Sequence, residues 1–102
     1  MDSLAAKFVP SSPSRIRAVR LPTRIHLPFG YTVLVKQITD AEMILHDEDG
    51  ELQDGLWDVE LRTIFVRRSL PLTRRKYILG HEILHAVNDW VHDCLNEEAM
   101  KP

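Results

Sequence analysis

The chain has 102 residues, 44% of them hydrophobic and 27% charged, which is room for one domain with one core and excludes wholesale disorder. A formal net charge of −2 excludes a uniformly basic nucleic-acid binder, and the lone Cys94 excludes an internal disulfide. No run approaches the ~18 apolar residues of a membrane span, and no charged-then-apolar leader opens the sequence, so the expected setting is the cytoplasm.

The first stretch, 1–25, holds Pro10, Pro13 and Pro22 and the serines Ser11, Ser12 and Ser14. That composition discourages regular structure and predicts a loosely structured arm, joining the fold between Ile16 and Leu21. Residues 26–102 then form a single domain. Tyr31–Ile38 is rich in β-branched residues and follows Pro28 and Gly30, which predicts a strand. Asp47-Glu48-Asp49-Gly50 and Asp54-Gly55 are turn chemistry. The first of these lacks the alternating acids of a calcium loop. Residues 55–60 and 62–68 predict two further strands, closed by Pro71. Thr73 stands where an N-cap belongs, and a helix is expected from Arg74 to about His92, with Ile78, Leu79, Ile83, Leu84, Val87 and Val91 at helical spacing on its apolar side. The expected fold is α+β: a small antiparallel or mixed sheet of about three strands packed on one long helix.

Charge is distributed in blocks. Asp40 to Glu60 contains acids and no Lys or Arg, whereas Arg62 to Lys76 contains Arg62, Arg67, Arg68, Arg74, Arg75 and Lys76 and no acid. Such blocks attract one another within a fold or form solvated faces.

The chemistry lies on the helix, in Gly80-His81-Glu82-Ile83-Leu84-His85. His81 and His85 are four residues apart, so they stand one turn above one another on one face, where two imidazoles can bind one Zn²⁺. Glu82 lies about 100° further round, outside that line but within reach of a water on the metal, as a general base. A catalytic zinc takes three protein ligands. The candidates downstream are Asp89, His92, Asp93, Glu97 and Glu98. His92 is about 10 Å beyond His85 on a straight helix. Asp89, one turn past His85, suits orienting an imidazole. If Asn96 caps a new helical turn after the chain folds back, Glu97 reaches the metal, and Glu97 is the expected third ligand.

These residues resemble the zincin metallopeptidases, and among them the minimal ImmA/IrrE-like group of bacteria and their phages. The resemblance covers about Tyr31 to Glu98. It rests on a strand, an acidic turn, a hairpin ending in Ile64-Phe65-Val66, an Arg-rich helix start, H-E-x-x-H with Asp89 four residues on, and Leu95-Asn96-Glu97. It implies hydrolysis of a peptide bond in a peptide or protein substrate, with His81, His85 and Glu97 on zinc and Glu82 as base. It also implies that the strand 63–67 holds the extended substrate antiparallel. The family continues with a full helix after that Glu, so a protein partner completing the C-terminal side is a further expectation.

Tyr31, Tyr77, His26 and His92 are candidates to stabilise the oxyanion, Tyr77 foremost because it precedes His81 by one turn. A tyrosine there is more often a core residue than a catalytic one, and Trp57 and Trp90 are expected in the core. His26 and His46 fall in loop-like segments, and Cys94 reads as an ordinary small residue. Two other functions fit the same sequence. One is a structural zinc that staples a small fold, and the other is an interaction module using Arg15, Arg17, Arg20 and Arg24.

Overall fold

The computed structural model describes residues 20–100, with side chains as far as Asn96. Its elements are β1 (Arg24–Leu27), β2 (Tyr31–Ile38), α1 (Asp40–His46), β3 (Gly55–Asp58), β4 (Thr63–Arg67) and α2 (Leu72–Met100). The strands form one mixed sheet in the order β1-β2-β4-β3. β1 runs antiparallel to β2, β2 parallel to β4, and β3 antiparallel to β4. The protein is therefore α+β, with a four-stranded mixed sheet and a long C-terminal helix. Among the described residues no helix is long and apolar enough to cross a membrane.

The fourth strand is β1, in a segment that reads as loop. It is four residues long, and Arg24 and His26 face solvent on an edge. Pairing with β2 is what makes it a strand, across a turn in which both Phe29 (φ 68°) and Gly30 (φ 75°) take the left-handed conformation. The Trp90 indole N–H donates to the Pro28 carbonyl at 3.2 Å and ties this hairpin to α2. Of the expected arm, Leu21 is buried in the core and residues 1–19 lie outside the described residues.

β2 alternates as a sheet covered on one face should. Tyr31, Val33 and Val35 are buried, and they join Ile64, Val66, Ile78, Leu79 and Ala86 under α2. β4 is buried on both faces, with Phe65 meeting Ile38 and Met43 of the α1 layer. A fully buried side chain of this kind contributes roughly 1.5–3 kcal/mol. α1 is an unforeseen element within the acidic stretch. Thr39 starts it through a capping box: its hydroxyl accepts from the Glu42 N–H, and the Glu42 carboxylate accepts from the Thr39 N–H. The turn after it is held by Asp47, whose carboxylate accepts from the N–H groups of Asp49 and Glu51.

The charge blocks do attract one another. Arg67 binds Asp40 at 3.1 Å and Asp54 at 2.7 Å, and Arg74 binds the other oxygen of Asp54 at 3.2 Å. This network joins α1, the start of β3, the end of β4 and the first turn of α2.

α2 differs from expectation in three ways. It begins at Leu72, so Thr73 is an exposed residue inside the first turn, and the Pro71 carbonyl accepts the Arg75 N–H. Its buried stripe runs through Ile78, Leu79, Glu82 and Ala86, while Leu84 is 70% exposed. Leu84 sits two residues from both Glu82 and Ala86, about 200° round the helix, so it faces away from the sheet. The helix also continues to Met100, well past His92. No Gly or Pro interrupts residues 92–100, and Leu, Glu, Ala and Met favour helix more strongly than Asn96 favours a cap.

Candidate metal centre

α2 presents His81 and His85 on its exposed flank beside β3. Their rings meet edge to face with centroids 4.9 Å apart, and the two Nε2 atoms are 3.3 Å from one another. Two bonds of ~2.0–2.1 Å meeting at a tetrahedral metal hold their nitrogens about 3.3 Å apart. That separation is that of a hydrogen bond between the two rings, and one shared zinc would need about the same distance.

Glu82 lies about 100° round the helix from His81, in the seam between α2 and β3, where it is only 8% exposed. Burial pushes its carboxyl above the usual range, and the charges of His85 and His81 oppose that shift. Its neighbour across the seam is the backbone of Gly55.

One turn beyond His85, the Asp89 carboxylate accepts the Trp57 indole N–H at 2.5 Å. This bond crosses from α2 to β3 and accounts for two residues at once: Trp57 is partly buried against the main core, and Asp89 is half-buried but paired. A cleft of about 300 Å³ continues along the same seam, lined by Tyr31, Arg62, Asp89, His92 and Asp93. Tyr31 is buried there with the Arg62 guanidinium 3.8 Å above its ring. Burial raises the pKa of its hydroxyl, which Arg62 opposes and Asp89 and Asp93 reinforce. A larger cavity, of about 490 Å³, lies between the end of α1 and β3, with His46, Asp47, Leu56 and Asp58 in its wall. There His46 stacks on Phe65 at 4.2 Å.

The expected site residues fall into two groups. His81, Glu82 and His85 come together at the seam. Glu97 does not join them through a returning turn, because α2 is continuous. At 1.5 Å per residue its backbone lies about 18 Å along the axis from His85, and its side chain, like that of Glu98, lies outside the described residues. Among the described residues no three His, Cys, Asp or Glu side chains form a group able to hold a metal.

Three other expectations need correction. Strand 63–67 cannot take a substrate on its edge, because β4 is paired with β2 on one side and β3 on the other. Among the described residues, the outer strand of the sheet next to Glu82 is β3. Tyr77 is not a core residue; it is 66% exposed, with Arg74 over its ring. His26 is an exposed β1 residue near the Thr32 hydroxyl, on the β1–β2 hairpin. Gly55 and the Trp57–Asp89 bond were missed as parts of the site. The sequence holds a signal for the first only in hindsight, as a glycine opening a strand. In comparisons with known proteins, no family model, curated protein or solved structure matches the chain.

Proposed function

We propose that the chain is a small zinc-dependent peptidase of zincin type. The single observation that carries this reading is the pair of Nε2 atoms at 3.3 Å beside the buried carboxylate of Glu82. His81 and His85 would hold the metal. The third donor would be Glu97, once the last turns of α2 unwind, or a carboxylate of a partner that completes this side. When bound, zinc supplies a polarised water and a Lewis acid for the scissile carbonyl. Glu82 takes the water's proton and returns it to the leaving amine. Its burial raises its affinity for that proton, in the direction a base needs. β3 is the outer strand of the sheet among the described residues, which supports an extended peptide as substrate, because an outer strand can pair with one more.

The test is the metal content of the full chain by elemental analysis, with His85→Ala, Glu82→Gln and Glu97→Ala alongside the wild type. The expected result is about one zinc per chain, lost with His85, weakened with Glu97 and kept with Glu82→Gln. Glu82→Gln should also abolish cleavage of unfolded protein substrates. Zinc retained with function unchanged in Glu82→Gln would make the site structural. No zinc in the wild type after refolding with the metal would overturn the reading.

A further inference from the structure

Gly55 opens β3 with an ordinary strand backbone, one that any residue could adopt. Its lack of a side chain therefore answers to space and not to a turn. A Cβ at this position would overlap Ile78 Cγ2 of α2, and it would lie 3.3 Å from both Cγ and Oε2 of Glu82. The space beside the Gly55 α-carbon, where a side chain would stand, is thus bounded by the Glu82 side chain. The strand is tethered on both sides of Gly55. Asp54, the preceding residue, is held by Arg67 and Arg74, and Trp57, two residues on, is bonded to Asp89.

We propose that Gly55 is a positioning residue for Glu82, fixing the rotamer in which the carboxylate faces the seam between β3 and α2. This inference rests on the reading of Glu82 as the general base. A free glutamate side chain samples several rotamers, so an unconfined base would spend much of its time out of reach. A general base must stand within hydrogen-bond distance of the proton that it removes. Close approach of a bare backbone on one side, with the His81–His85 flank on the other, supplies that confinement without a hydrogen bond that would compete for the carboxylate.

The experiment uses wild type, Gly55→Ala and the double variant Gly55→Ala/Ile78→Leu. Leucine has no methyl branch at Cβ, so the double variant removes the overlap with Ile78 and leaves the new methyl against Glu82. Two-dimensional NMR of the metal-free chain gives a readout independent of activity. In wild type the Glu82 γ-protons should show strong NOEs to the Gly55 α-protons, and the Glu82 α–β couplings should report one dominant rotamer. The double variant should recover the thermal stability lost in Gly55→Ala, while its Glu82 couplings average over several rotamers. With zinc bound, kcat should stay down about 100-fold at unchanged KM and unchanged metal content. Absence of the wild-type NOE would overturn the proposal. So would a double variant with wild-type couplings, which would reduce Gly55 to packing against Ile78. If the chain binds no zinc or cleaves nothing, the peptidase reading fails by itself, and the NMR result still decides what Gly55 does to Glu82.

Discussion

The two halves of α2 obey different constraints. Up to Trp90 the helix lies on the sheet, burying Ile78, Leu79, Glu82 and Ala86. Arg74 ties it to Asp54, Asp89 to Trp57, and Trp90 to Pro28. From Val91 to Asn96 the side chains are exposed except for the partly buried Cys94, and Leu95 is 60% exposed. The first half owes its position to tertiary packing, and the second is a helix mainly because its residues favour one. His81, Glu82 and His85 all lie on the packed half. Glu97 lies on the other. The core thus fixes the three residues proposed for the site that lie on the packed half, whereas most side chains from Val91 to Asn96 are exposed.

The strongest way to break this comparison is a pair of truncations. Ile64→Ala, in the fully buried layer beneath the first half of α2, should cost about 2–5 kcal/mol in urea unfolding. Leu95→Ala, on the second half, should stay within about 0.5 kcal/mol of wild type. Comparable losses at both positions would mean that the second half is packed against something after all.

The same division explains what the sequence could disclose. β2 and β4 were legible because Val33, Val35, Ile64 and Val66 alternate or cluster as buried strands do. The His81–Glu82–His85 group was legible because helical spacing alone brings it together. What escaped depends on contacts between distant residues. β1 is a strand by virtue of its pairing with β2, and Ile25 and Leu27 are too few to announce it. α1 was hidden by the charges around it, although Thr39 and Glu42 spell a capping box. Leu84 and Tyr77 were assigned inward because the spacing of apolar residues cannot tell the buried stripe of α2 from its exposed one. Which strand lies outermost could not be read at all. The β2–β4 pairing is parallel and spans the whole of α1 and β3, so nothing local specifies it.

A smaller effect should come from the bond that closes the seam. Trp57→Phe keeps most of the apolar contact but removes the indole donor, leaving the half-buried Asp89 carboxylate unpaired. The expected cost is about 1–3 kcal/mol. Asp89→Asn retains an acceptor oxygen for Trp57 and should cost less. Chemical unfolding of the two variants, followed by Trp90 fluorescence in Trp57→Phe, tests this order. A larger cost for Asp89→Asn than for Trp57→Phe would mean that the charge on Asp89, and not its bond to Trp57, is what stabilises the seam.

The smallest effect is electrostatic and appears only in acid. The Ser69 hydroxyl and the Arg67 guanidinium hold the Asp40 carboxyl below its usual value of 3.8. The N–H and hydroxyl of Thr39 do the same for Glu42. As pH falls, the unfolded chain takes up these protons first. The stabilisation is therefore complete above about pH 4–5 and disappears as pH drops through the lower folded values. Asp40→Asn should be less stable than wild type at neutral pH by a small margin that narrows steadily below about pH 4. Both groups are solvated, so salt should shrink the Asp40 margin through Arg67 more than it shrinks the uncharged Thr39 contribution. Urea unfolding at several pH values, in low and high salt, measures both trends. A margin that stayed constant from neutral pH into acid would show that Asp40 contributes through its shape, and that the ion-pair network does not anchor the packed half of α2.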